Sequence, residues 1–199
     1  MCGISGLFFQ ENINHRILAD FGLLMSNALS KRGPDSSGIW TDSEYGIVLS
    51  HRRLSIRDLT IKGHQPMLSH DKSLMIVFNG EIYNFEDLKK ELGEYKWEGN
   101  SDTEVLLALY IKFKKEMLSM INGMFSFVIY NKIENTIFGA RDRFGVKPLY
   151  YVNQHNFFRF GSSLQSLIIK KDFPIEFDSQ SLHLHFSLHS SIPAPNTLF

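Results

Sequence analysis

Thiol chemistry is nearly absent from this sequence: Cys2 is the only cysteine among 199 residues. An intrachain disulfide framework is excluded, and so is a zinc site built from several thiolates. Net charge is absent too. Lys and Arg number 21 and Asp and Glu number 21, so no basic surface points to nucleic acid or to an anionic membrane. Long apolar runs are missing, since no stretch approaches the roughly 18 residues of a membrane span. MCGISGLFF has no basic region ahead of its apolar residues, so a signal peptide is not expected. No internal repeat or low-complexity segment occurs. These absences leave a cytoplasmic globular protein without nucleic-acid or membrane partners as the expectation.

What is present suits a packed core. Apolar residues reach 43%, aromatics 13%, and Phe alone numbers 17, which allows one domain with a substantial interior. Residues 2–9 read as a buried strand. Ile17, Leu18, Phe21, Leu24, Met25 and Ala28 fall on one helical face. RGPDSSG (32–38) and GHQP (63–66) read as loops. Strands are expected at 45–50, 53–57 and 74–79, the last stopping at Gly80, and a short helix at 86–92. Ser101 and Glu104 form a capping box that opens a helix. Residues 124–130, 136–141, 148–152 and 157–161 read as short strands. Residues 163–169 and 180–188 read as helical. The order lacks regular βαβ alternation, so an α+β arrangement with antiparallel sheets is expected.

Cys2 directly follows the initiator Met and precedes a glycine. Removal of Met1 would leave a free α-amine beside the thiol. An α-amine titrates near 7.7–8.0, roughly, and a thiol near 8.5. The amine can take the thiol proton and return it to a leaving group, so one residue supplies nucleophile and base. By position alone the plainer reading, a small buried hydrophobe, weighs more.

Other motifs bear on that choice. In NGEIYN (79–84) the Asn79 amide and the Gly80 N–H could form an oxyanion hole, with Glu81 beside them; a hairpin turn is the competing reading. HRRLSIRD (51–58) sets two arginines on a strand, where only one can face a pocket and clamp a carboxylate. SDTE (101–104) puts Asp102 at a helix start, able to meet an ammonium or simply the helix dipole. Arg141, Asp142 and Arg143 are expected to form an ion-pair network that organises the sheet. His183, His185 and His189 cluster, but no HExxH pattern supports a metal, and no metal site is expected. No phosphate-loop pattern occurs.

Taken in order, MCGISG, RGPDSSG, HRRLSI, GHQP, FNGEIYN, GNSDTEV, INGMFSF and RDRFGVKPLYY resemble the glutaminase domain of asparagine synthetases. Those are class II glutamine amidotransferases of the N-terminal nucleophile hydrolase superfamily. The resemblance runs from residue 2 to about residue 168. It implies a four-layer αββα sandwich of two antiparallel sheets flanked by helices. It implies Cys2 as nucleophile, Asn79 and Gly80 as oxyanion hole, and Arg53 on the substrate α-carboxylate. Glu81 and Asp102 would hold the α-ammonium, and the backbone around Ile56 and Arg57 would line the pocket. Arg32 and Asp35 would organise the surroundings of the nucleophile. The implied reaction hydrolyses glutamine to glutamate and ammonia without metal or cofactor. Ammonia would then serve ATP-dependent amidation of aspartate.

In that family ATP and Mg belong to a synthetase domain with an SGGxDS-type loop, a motif this sequence lacks. Residues 1–170 are therefore expected to form the glutaminase domain. Residues 171–199 are expected to be a linker or the start of a synthetase domain, truncated or supplied by a partner. Ser163 and Gln165–Ser166 also stand where relatives often carry the Glu and Lys–Ala of SE-x-KAL. A different ammonia acceptor and a non-catalytic interaction module stay open as alternatives. A homodimer stays open too.

Overall fold

A computed structural model describes residues 1–55, 60–170, 172–188, 192–193 and 196–198. They divide into two units, Met1–Ile169 and Lys170–Phe199. The second contains one helix, α4 (Ser179–Ser187), whose cap Asp178 accepts from the Ser181 N–H. His183 and His185 lie on it, and His189 lies outside the described residues. Everything below concerns the first unit; its helices are α1 (His15–Ala28), α2 (Phe85–Leu92) and α3 (Asp102–Phe113).

The apolar N-terminus forms β1 (Gly3–Phe9), flanked by β3 (Ile47–Arg53) and β9 (Phe157–Gly161). With β2 (Ser36–Asp42) and β8 (Tyr150–Asn153) they make one antiparallel sheet, ordered β2-β3-β1-β9-β8. β4 (Met67–Leu68), β5 (Leu74–Ile82), β6 (Gly123–Asn131) and β7 (Thr136–Arg141) make a second antiparallel sheet in chain order.

The alternation of strand side chains stacks these sheets. Ile4, Phe8, Ile47 and Leu49 of the first meet Met75, Val77, Val128 and Tyr130 of the second. The opposite face of the second sheet, through Leu74, Ile76, Phe127 and Ile129, packs on α2 and α3 through Leu88, Val105, Leu106 and Leu109. Helix α1 covers β1, β2 and β3. The result is the expected four-layer αββα order. Each such fully buried side chain contributes about 1.5–3 kcal/mol.

Several local expectations are corrected. On α1, Ile17 and Leu24 are exposed, and the buried stripe is Leu18, Phe21, Gly22, Met25 and Ser26. A Cβ at Gly22 would stand 2.7 Å from Ile39 and Val48, so the helix approaches the sheet along its small residues. Ser36–Gly38 belong to β2 rather than to the preceding loop. β3 runs through to Arg53, where a separate strand at 53–57 was expected; residues 56–59 lie outside the described residues. β5 does not stop at Gly80, because Gly80 pairs with Phe125 and Ile82 with Gly123. Asn79–Gly80 is thus mid-strand and not a hairpin turn. Residues 164–166 form only a 3-10 turn.

The 140–151 segment departs from its expected role as well. Among the described residues, Arg141, Asp142 and Arg143 make no ion pair with one another. The Asp142 carboxylate instead accepts from the backbone N–H groups of Phe125, Phe144, Val146 and Lys147. Arg141 donates to the carbonyls of Gly145 and Lys147. The charges close a loop against β6 by bonding its backbone.

Candidate active site

Period two along each strand aims a set of polar side chains at one place. Cys2 continues the inward face of Ile4 and Phe8, His51 and Arg53 that of Ile47 and Leu49, and Asn79 that of Met75 and Val77. These faces meet where the apolar core gives way to a pocket. Cys2, Arg53, Asn79, Gly80, Glu81 and Asp102 all line it.

The Cys2 thiol rests against Leu54, with Sγ 3.4 Å from the Leu54 nitrogen and 3.6 Å from its carbonyl oxygen. Met1 also borders the pocket. Arg53 is buried and donates through one terminal nitrogen to the Thr60 carbonyl at 3.0 Å. Its neighbour Arg52 points the other way, to the Ser26 carbonyl and the Asn27 side chain. The strand does sort the two arginines, as expected.

Asn79 is buried, and its side-chain Nδ2 has no hydrogen-bond partner. A buried donor left unsatisfied costs about 1–3 kcal/mol. Next to it a Cβ on Gly80 would collide with the Met124 carbonyl and stand 2.7 Å from Phe125 Cα. Only glycine allows β5 and β6 to lie this close beside the asparagine. Asp102 opens α3, where the Ser101 hydroxyl accepts from the Glu104 N–H at 3.3 Å. Its carboxylate turns inward and accepts from the Ile82 N–H at 3.1 Å. The second half of the capping box is not formed: the Glu104 carboxylate instead accepts from the Glu98 and Gly99 N–H groups.

Arg32 and Asp35 stand behind the pocket wall. The Arg32 Nε donates to the Cys2 carbonyl at 3.1 Å. Burial holds its guanidinium below the ordinary arginine value, against the pull of Cys2 and Tyr150. Asp35 accepts from the Ser55 N–H at 2.7 Å, and its own N–H donates to the Arg53 carbonyl. Ile56 and Arg57 lie outside the described residues.

Lining residues not singled out as site residues from the sequence include the polar side chains of His51, Gln65, Thr103 and Lys147. His51 could have been found, since it shares a strand face with Arg53 two positions on. Gln65 and Lys147 come from loops and carry no periodic signal. Among the described residues no group of three His, Cys, Asp or Glu side chains could hold a metal, and no helix is long and apolar enough to cross a membrane.

Chemically the pocket offers a thiol, an unpaired amide donor, a cation and two carboxylates. That set suits a zwitterion carrying a carboxamide. A family described as "Glutamine amidotransferase domain" matches residues 1–199. The chain is 40% identical over its whole length to "Asparagine synthetase [glutamine-hydrolyzing] 1" of Bacillus subtilis, of which it covers 31%. It is 37% identical over its whole length to a putative asparagine synthetase (glutamine-hydrolyzing) of Methanocaldococcus jannaschii, covering 41%. The chain thus spans less than half the length of these relatives. Among solved structures, the glutamine phosphoribosylpyrophosphate amidotransferase from B. subtilis superposes with a TM-score of 0.69 at 22% identity. The match covers 84% of this chain and 43% of that one, a likeness of fold.

Proposed function

The chain belongs to the glutamine amidotransferase domain family, and on that premise we propose that its pocket hydrolyses glutamine to glutamate and ammonia with Cys2 as nucleophile. The observation that carries this reading is the unpartnered Asn79 amide, buried in the same pocket as the Cys2 thiol. A substrate oxyanion is the acceptor it lacks.

Removal of Met1 frees the Cys2 α-amine, which takes the thiol proton. Sγ attacks the carboxamide carbon, and the oxyanion meets the Asn79 amide and the Gly80 N–H. The amine's proton passes to the leaving nitrogen, and ammonia departs. Water then attacks the γ-glutamyl thioester, and its proton returns through the amine to the sulfur. Arg53 holds the α-carboxylate, and Glu81 and Asp102 hold the α-ammonium. Arg32 and Asp35 fix the nucleophile segment. No metal or cofactor takes part in this half.

The ammonia is passed to a synthetase part, as the names of the asparagine synthetase relatives suggest; ATP, Mg and the amidation of aspartate are what the sequence resemblance implies for that part. The present sequence has no SGGxDS loop for that chemistry. A second acceptor stays in view because the chain is also 36% identical over 141 residues to "Amidase chry2" of Gibberella zeae. A cytoplasmic setting completes the reading.

Intact-protein mass spectrometry before and after exposure to a glutamine-mimicking diazo-ketone tests it. Loss of Met1 and a single adduct on Cys2 are expected. A free Cys2 that takes no adduct, with no glutamate formed from glutamine, overturns the proposal in favour of an interaction module.

A further inference from the structure

β6 lies along one edge of β5, and the alternation of an antiparallel strand sends every second N–H to the other edge. The Phe78 N–H goes that way, donating at 2.6 Å to the Gln65 Oε1. The Ile82 N–H, four positions on, donates at 3.1 Å to the Asp102 carboxylate. Gly80 lies midway, so its N–H faces the same edge, and Gly80 lines the pocket. β4 covers this edge only as far as Met67 opposite Ile76. At Phe78 and Ile82 side chains take the place of a strand.

Both ends of the Gln65 amide are used, and the side chain is buried. Only Oε1 can accept from an N–H, so Nε2 is the end that donates to the Thr103 hydroxyl at 3.2 Å. The backbone of Gln65 is held from a third side, since a Cβ on Gly38 of β2 would collide with the Gln65 carbonyl oxygen. Asp102 and Thr103 are consecutive residues in the first turn of α3. The start of α3 therefore holds β5 at two points, directly at Ile82 and through Gln65 at Phe78. Between those points lie Asn79 and Gly80, the proposed oxyanion donors, and Glu81.

We infer that Gln65 is a positioning residue that registers the oxyanion donors on the start of α3. Its bond to Phe78 holds β5 one residue before Asn79, and its bond to Thr103 ties that point to the turn that carries Asp102. A substrate gripped at its ammonium by Asp102 then meets an oxyanion hole fixed to the same frame. Gln65 acts through Phe78 and Thr103 and adds no charge to the site.

The kinetic readout rests on the glutaminase reading, so a structural one is paired with it. Wild type is compared with Gln65→Leu, Thr103→Val, Thr103→Ser and the double variant Gln65→Leu with Thr103→Val. Leu removes both bonds of the bridge, Val removes only the hydroxyl, and Ser keeps it. For glutamine hydrolysis Gln65→Leu and Thr103→Val are each expected to lose on the order of 10- to 100-fold in kcat, with KM within about twofold. Thr103→Ser should keep most of the wild-type kcat, and the double variant should be no slower than Gln65→Leu. Unchanged kcat in Gln65→Leu or in Thr103→Val, or additive losses in the double variant, overturns the assignment. Thr103→Val and Thr103→Ser carry the same test should Gln65→Leu not fold. Backbone amide exchange is read in the same proteins. Phe78 should exchange about tenfold faster or more in Gln65→Leu, while Val77, whose N–H faces β6, should stay near wild type. Unchanged exchange at Phe78, or equal acceleration at Val77, overturns the bridge whether or not wild type hydrolyses glutamine. Absence of wild-type hydrolysis would count against the glutaminase reading itself.

Discussion

The Arg32 guanidinium reaches across from the loop after α1 and donates through Nε to the carbonyl oxygen of Cys2 at 3.1 Å. That bond grips the backbone of the proposed nucleophile from a residue outside the pocket lining. Sγ is then placed by a fixed main chain and by Leu54 rather than by a free terminus.

Replacing Arg32 by Met removes the grip and leaves the thiol in place. Adduct formation at Cys2 with a diazo-ketone should slow by about tenfold or more, since a misplacement of 1 Å in reacting groups can cost on the order of 100-fold. Arg32→Lys should not restore the rate, because an ammonium lacks the planar fork that donates at this angle. The check is the rate constant for labelling followed by mass spectrometry. Equal rates in all three proteins would show that β1 alone fixes Cys2.

Gly80 sits where β5 and β6 leave no room for a methyl group, the obstacles being the Met124 carbonyl and Phe125 Cα. Backbone cannot rotate aside as a side chain can. Gly80→Ala should therefore force the strands apart, at about 1–3 kcal/mol of stability. It should also displace the Asn79 amide, with a loss in kcat on the order of 100-fold. Urea unfolding and steady-state glutaminase assays measure the two effects separately. A variant with wild-type stability and kcat would mean that the close approach has no part in the site.

Much of this was legible in the sequence, for physical reasons. β1, α3 and β6 carry patterns strong enough to survive any tertiary context, and the two arginines of HRRLSI separate as strand geometry requires. Local chemistry misled where tertiary pairing overrode it. Asn79–Gly80 is a common hairpin signal, but nine consecutive residues of β5 find partners on β6 and keep it extended. Asp142 between two arginines looks like an ion pair, yet four backbone N–H groups were the stronger claim on its carboxylate. Gln65 was invisible as a partner of the Phe78 N–H, because nothing in sequence reveals that β4 stops short of Phe78.

Asp142 gives a pH prediction. Burial alone would raise its pKa, but the N–H groups of Lys147, Val146, Phe125 and Phe144 together outweigh burial and hold it below the usual carboxylate range. A folded value below the unfolded one, roughly 3.9, stabilises the fold fully above that pH. The contribution is lost as pH falls through the folded pKa. Asp142→Asn should cost about 1–3 kcal/mol at neutral pH. The gap to wild type should narrow steadily as the pH drops below about 4. Urea midpoints measured at several pH values read this directly, and a constant gap would exclude the charge as the cause.

Asp102 is proposed to recognise the substrate ammonium, and its position makes that role separable from catalysis. It lies at the start of α3, with one carboxylate oxygen accepting from the Ile82 N–H. Asp102→Asn keeps an oxygen for that bond and removes only the charge. KM for glutamine should rise about 10- to 100-fold, the loss of one charge-assisted hydrogen bond, with kcat nearly unchanged. The monoamide of glutaric acid, which is glutamine without its amino group, supplies the control. Wild type should strongly prefer glutamine to this analogue, and Asp102→Asn should lose most of that preference. A variant that is slower on both substrates by the same factor would place Asp102 in the architecture of the pocket instead of in recognition of the ammonium.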